Sequence, residues 1–127
     1  IMEHWGRDQN MVSSALHTPS SFGGTFNKGQ QYIDTASTEF HVYSLDWNAD
    51  RMIFSVDGVE HYTYAPNDKN SDTWPFDAPQ YLLLNFAIEP TIANSFNEDE
   101  MEIDYVRVYA PNASASANPV WADEFNN

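Results

Sequence analysis

The chain has 127 residues, enough for one small domain with a modest core. Nineteen acids against five bases leave a formal net charge of −14. A surface this acidic repels phosphate backbones, anionic membranes and anionic polysaccharides, so neither nucleic acid nor a membrane is expected as a partner and a neutral ligand fits better. No cysteine reports the redox compartment, and no apolar run reaches membrane-spanning length. Aromatic residues make up 15% of the chain; most rings in any protein pack in its core, and exposed ones serve binding.

Taken in chain order, residues 1–6 and 11–18 read as strands, rich in β-formers and aromatics. Residues 19–31 carry Ser, Gly and Asn without periodicity and read as a loop. Residues 40–47 form the next predicted strand. Two more, residues 52–56 and 59–64, flank Asp57-Gly58, a strong two-residue hairpin signal. Residues 66–75 read as a loop that ends on an exposed-looking Trp74-Pro75. A nearly continuous apolar run at 81–88 suits a strand buried on both faces or a short buried helix, and its length and the flanking Pro79 and Pro90 favour the strand. Residues 101–109 give a further strand. The Ala/Ser/Asn-rich stretch 111–119 reads as a flexible linker, and Val120-Trp121-Ala122-Asp123-Glu124-Phe125 is a short strand-like segment. No stretch sustains a 3.6-residue apolar period. The expected fold is all-β, a sandwich of antiparallel sheets.

Chemistry centres on the opening Ile1-Met2-Glu3-His4-Trp5-Gly6. A lone glutamate on a strand is ordinarily a solvated residue. Here it is followed, in order, by FHVYSLDW at 40–47, VDG at 56–58, WPFD at 74–77, QYLLLN at 80–85 and MEIDYVRVY at 101–109. Together these segments, spanning essentially residues 1–110, resemble the family-16 glycoside hydrolases of the laminarinase (endo-1,3-β-glucanase) type. The resemblance implies a concanavalin A-like jelly-roll β-sandwich, of which this chain would be roughly half, and a secreted enzyme. It also implies endo-hydrolysis of β-1,3-glucan with retention, which needs two carboxyl groups about 5–5.5 Å apart.

In that family the active-site strand reads Glu-Ile-Asp-Ile-Met-Glu. Its first Glu is the nucleophile and its last the acid/base, brought to the cleft face by a β-bulge at the Met. Only the last role maps here, onto Glu3; the nucleophile and the Asp have no counterpart among the 127 residues. The Met favours the bulged β-1,3-glucanases over the lichenases. Agarases and carrageenases share the bulge, but their charged or galactose-based substrates suit this acidic chain less well. Glu89-Pro90 stands where many members have Gly-Gly, which bears on the shape of one end of the cleft.

Four further residues are candidates for substrate binding. Trp5, two positions after Glu3, would share its face, where an indole stacks on a sugar ring or anchors the core. His17, in SSALHTP, resembles the family's cleft histidine. Asn85 interrupts an apolar run and, if buried, must be hydrogen-bonded, to sugar hydroxyls or to backbone. Trp74 is read as one wall of the cleft. In MEIDYVRVY, Asp104 resembles a calcium ligand of the convex face, so a structural Ca2+ is expected; a solvated Asp is the alternative.

The ending is out of family order. VWADEF resembles the first strand of the same fold, placed here after the last one and its linker. Circular permutation gives that order, and so does a tandem repeat. Residues 1–110 are accordingly expected to be the C-terminal half of a glucanase sandwich, 111–119 a linker and 120–127 an N-terminal-type segment. A complementary polypeptide or second copy would complete a fold of about 250 residues. Two rivals stand beside the enzyme: a non-hydrolytic β-glucan-binding module on the same fold, and a fragment that serves assembly alone.

Overall fold

The computed structural model describes residues 1–114 and 116–126. Ala115, inside the expected linker, and Asn127, the last residue of the 120–127 segment, lie outside the described residues. The chain forms two compact units, Ile1–Pro79 and Gln80–Asn127. Among the described residues every regular element is a strand except one 3-10 turn at Pro75–Asp77, and no helix is long and apolar enough to cross a membrane.

The first unit carries two antiparallel three-stranded sheets. One contains β1 (Glu3–His4), β2 (Met11–Ala15) and β3 (Lys28–Tyr32) in that order; the other contains β4 (Tyr43–Trp47), β5 (Met52–Val56) and β6 (Val59–Tyr64). Side chains alternate along a strand, and the burial follows that period. Val12, Ser14 and Leu16 are buried at the β2 side, and Met52, Phe54 and Val56 along β5. Leu16 joins Met52, Phe54, Tyr64 and Trp74 in one core cluster, so the two sheets share a core. Rings dominate it. Phe54 stacks on Tyr62 at 5.8 Å, Tyr64 lies nearly parallel to Trp74 at 5.9 Å, and Phe76 meets Trp74 edge-on at 5.5 Å. Full burial of a side chain such as Phe54 stabilises by about 1.5–3 kcal/mol.

Close approach is enforced at Gly29. A Cβ there would stand 2.5 Å from the Tyr62 Cβ and 2.6 Å from the His61 carbonyl, so only glycine lets β3 lie this near β6. Nearby, β6 carries a bulge: Phe54 pairs with Tyr62 and Ser55 with Glu60, leaving His61 as the extra residue. Its Nε2 lies 2.9 Å from the Ser14 hydroxyl, and burial lowers its pKa below the ordinary imidazole value. The Ser14 hydroxyl donates to the Ile1 carbonyl at 2.5 Å and ties the chain ahead of β1 to β2.

The hairpin expected at Asp57-Gly58 is present, with φ of 50° and 79° at its two central residues, as a type I′ turn requires. The Asp57 carboxylate accepts from the Val42 amide at 2.8 Å and lies 2.6 Å from His41 Nδ1; His41 Nε2 lies 3.0 Å from the Thr35 hydroxyl.

Two sequence expectations about strands are corrected. Lys28–Gln31, read as loop, belongs to β3: five consecutive backbone pairings with β2 outweigh the weak β-propensity of Lys-Gly-Gln-Gln. Residues 81–88, read as a buried strand, lie in no strand, and Tyr81 and Leu83 are 86% and 73% exposed. A strand exists only through a hydrogen-bonded neighbour, and among the described residues none pairs with this run. The second unit is held instead by β7 (Val106–Val108) and β8 (Trp121–Asp123), antiparallel, with Val106 opposite Asp123 and Val108 opposite Trp121. Arg107 grips the Glu124 carboxylate with two bonds of 2.8 and 2.7 Å and lies over the Tyr105 ring at 3.8 Å.

Candidate active site

The sheet β1-β2-β3 has one face turned to the core and one open. Residues paired across strands share a face, and Glu3 pairs with Ser13, which pairs with Gln30. Ala15 opposite Lys28 and Met11 opposite Tyr32 extend the same face. Glu3, Lys28, Gln30 and Tyr32 are exposed, and the β2 residues between them are half-buried. A carboxylate therefore stands on an open sheet face that also carries amide, ammonium and phenol groups along β3. The bulge expected at Met2 falls outside β1, which begins at Glu3.

Beyond β1 the chain turns sharply. The Asp8 amide donates to the Trp5 carbonyl at 2.8 Å and the Met11 amide to the Asp8 carbonyl at 3.0 Å. Trp5 is partly exposed at this turn, with the Arg7 guanidinium 4.3 Å from its ring centroid. One indole face is thus covered by a cation, and a sugar could stack only on the other. His17, just past β2, is exposed. The loop that follows is held by its own buried hydroxyls: Thr25 donates to the Leu16 carbonyl at 2.9 Å and lies 2.7 Å from the Ser21 hydroxyl.

Trp74 is not an exposed wall. It is 4% exposed, with one face on Tyr64 and the Lys69 ammonium 5.1 Å from its ring centroid, and its Nε1 donates to Asp77 at 3.2 Å. The following Pro75 opens a 3-10 turn that folds the indole inward, so Trp74 anchors the core instead of touching substrate. Asn85 is exposed rather than buried, and Asp104 is exposed too; both lie in the second unit. One carboxylate supplies at most two of the 6–8 oxygens that calcium takes. Among the described residues no group of three or more His, Asp or Glu is arranged to hold a metal.

Sequence reasoning missed Gln30 and Tyr32. KGQQY carries no apolar alternation and no β-branched residue, and it becomes a strand against β2.

The glycosyl hydrolases family 16 profile matches residues 1–107. A β-glucanase of Rhodothermus marinus is 32% identical over 123 residues, covering 86% of this chain and 43% of that protein. A keratan-sulfate endo-1,4-β-galactosidase of Sphingobacterium multivorum is also 32% identical, over 85% of this chain and 27% of its own length. Among solved structures, the laminarinase from Flavobacterium sp. UMI-01 superposes with a TM-score of 0.59 at 43% identity, covering 61% of this chain and 34% of that one. The chain thus spans about two fifths of the β-glucanase and a third of the laminarinase. Its antiparallel all-β structure is part of their jelly-roll sandwich, and by sequence and structure alike the chain belongs to glycosyl hydrolases family 16.

Proposed function

We propose that this chain carries the acid/base part of a retaining endo-β-1,3-glucanase. The observation that carries the reading is the exposed Glu3 carboxylate on an open sheet face, in register with Ser13 and Gln30. Glu3 would protonate the glycosidic oxygen as the sugar–oxygen bond breaks and a second carboxylate attacks the anomeric carbon. It would then take a proton from the water that releases the glycosyl-enzyme. The attacking carboxylate would come from a complementary segment carrying Glu-x-Asp. The antiparallel pairing of β8 with β7 favours a permuted or tandem arrangement, with 120–125 acting as a first strand beside the last.

Neutral β-glucan suits the chain better than a sulfated polymer, because a net charge of −14 repels polyanions. A polymer substrate also favours work outside the cell. The test is sugar release from laminarin and from keratan sulfate by the complemented protein. Laminarin should be cleaved, and Glu3→Gln should lower turnover about 10²–10⁴-fold. Near-normal turnover by Glu3→Gln would remove Glu3 from the mechanism. The rival, a non-hydrolytic β-glucan-binding module, would bind laminarin and release nothing even with the complement present.

A further inference from the structure

The turn Gly6–Asn10 and Tyr32 line an open, polar hollow of about 420 Å³. Its walls are Gly6, Arg7, Asp8, Gln9, Asn10 and Tyr32. Tyr32 is 61% exposed and lies on the same face as Glu3. Its ring does not swing freely: Asn10 Nδ2 donates to the phenol oxygen at 3.0 Å. The turn is tethered at several points. His4 Nε2 lies 2.9 Å from the Gln9 carbonyl, which also accepts from the Ser37 hydroxyl at 2.8 Å, and the Ile33 amide donates to the Asn10 carbonyl at 2.7 Å.

Neighbouring strands lie about 4.8 Å apart with a rise of about 3.4 Å per residue, so Tyr32, two strands over and two residues along, stands about 12 Å from Glu3. That is farther than one sugar ring spans. A pyranose offers an apolar C–H face to a ring and hydroxyls to amide and carboxylate groups, and this hollow presents both kinds of partner on a preformed frame.

We propose that Tyr32 and the Gly6–Asn10 turn form a distal subsite for a glucosyl unit of a β-glucan chain, removed from the unit cleaved at Glu3. The proposal rests on the glucanase reading above. It makes Tyr32 a determinant of chain-length preference and leaves the chemical step to Glu3.

The experiment is calorimetric titration of laminaribiose and laminaripentaose into the protein carrying Glu3→Gln, so that no ligand is consumed. Tyr32→Ala should weaken the pentaose about tenfold, the upper range for one aromatic contact, and leave the biose unchanged. Tyr32→Leu, which keeps bulk without a ring, should match it; Tyr32→Phe should hold most of the affinity. Circular dichroism checks each fold, and the Leu–Phe pair decides if the alanine variant does not fold. Pentaose affinities within twofold of the parent in both Tyr32→Leu and Tyr32→Phe would overturn the subsite while leaving the glucanase reading intact. So would equal losses for biose and pentaose. A complemented parent that binds neither sugar would overturn both readings.

Discussion

In residues 1–79 the apolar side chains of two sheets meet one another: Phe54 is 2% exposed, and Val12, Met52 and Val56 are buried with it. In residues 80–126 side chains of the same kind stand in solvent, among them Tyr81, Leu83, Phe86 and Ile88. The second unit still forms an open apolar hollow, lined by Leu82, Leu84, Val106, Val108, Trp121 and Phe125. An apolar pattern specifies what a segment can bury; the burial itself needs a facing surface. The first unit supplies both faces. Tyr81, Leu83, Phe86 and Ile88 stand exposed in a chain that spans about a third to two fifths of the length of these relatives.

The contrast can be broken by substitution. Phe54→Ala should cost about 3–5 kcal/mol of stability in urea unfolding, through lost burial and a residual cavity. Leu83→Ala, at an exposed position, should stay within about 0.5 kcal/mol. Equal effects would mean that the two units do not differ as described. Next in size is Gly29→Ala, where the added methyl meets the Tyr62 Cβ and the His61 carbonyl. It should cost about 1–3 kcal/mol by overpacking, read as a lower urea midpoint; an unchanged midpoint would show that β3 and β6 can move apart freely.

A smaller, pH-dependent effect should come from His41 and Asp57. Their hydrogen bond raises the His41 pKa above 6.5 and lowers that of Asp57 below 3.8. A raised imidazole stabilises fully below its unfolded value, and that stabilisation is lost as pH rises through the folded value. A lowered carboxyl stabilises above its unfolded value and loses the effect as pH falls. Both contributions are therefore full between 3.8 and 6.5. Asp57→Asn keeps an acceptor for the Val42 amide and tolerates positive φ. Its melting temperature should fall below that of the parent most in this window, by the equivalent of about 1 kcal/mol or less for a half-exposed carboxylate, and the gap should shrink above neutral pH. A gap that widened in alkali would reverse the assignment.

The smallest expected effect lies in the second unit. Arg107→Ala removes an exposed pair with Glu124, so the urea midpoint of the whole chain should not move, while amide exchange in β7 and β8 should quicken. A clear drop in the global midpoint would show that this pair holds more than one hairpin.

Much of the fold was legible in the residues. The β5 and β6 strands sit where their β-formers end, around a turn whose two positive φ values Asp and Gly accept. IMEHWG singles out Glu3 as a candidate, and the structure sets it on the open face of a sheet. Its neighbours were less legible. Gln30 and Tyr32 reach that face because β3 pairs with β2, a contact that joins residues 13 or more positions apart and leaves little trace in local composition.

What the sequence by itself determined is the set of local preferences: all-β periodicity, the Asp57-Gly58 hairpin, the acidic charge and the family motifs. These depend on neighbouring residues and on side-chain chemistry alone. The tertiary structure decided which apolar groups found cover. Trp74 looked exposed on its loop and became the most enclosed ring of a stack, because Tyr64 and Phe76 fold around it. Residues 81–88 looked like the most buried strand and stand open, because among the described residues no partner strand reaches them. Burial is a property of two surfaces, and a sequence read locally contains only one of them.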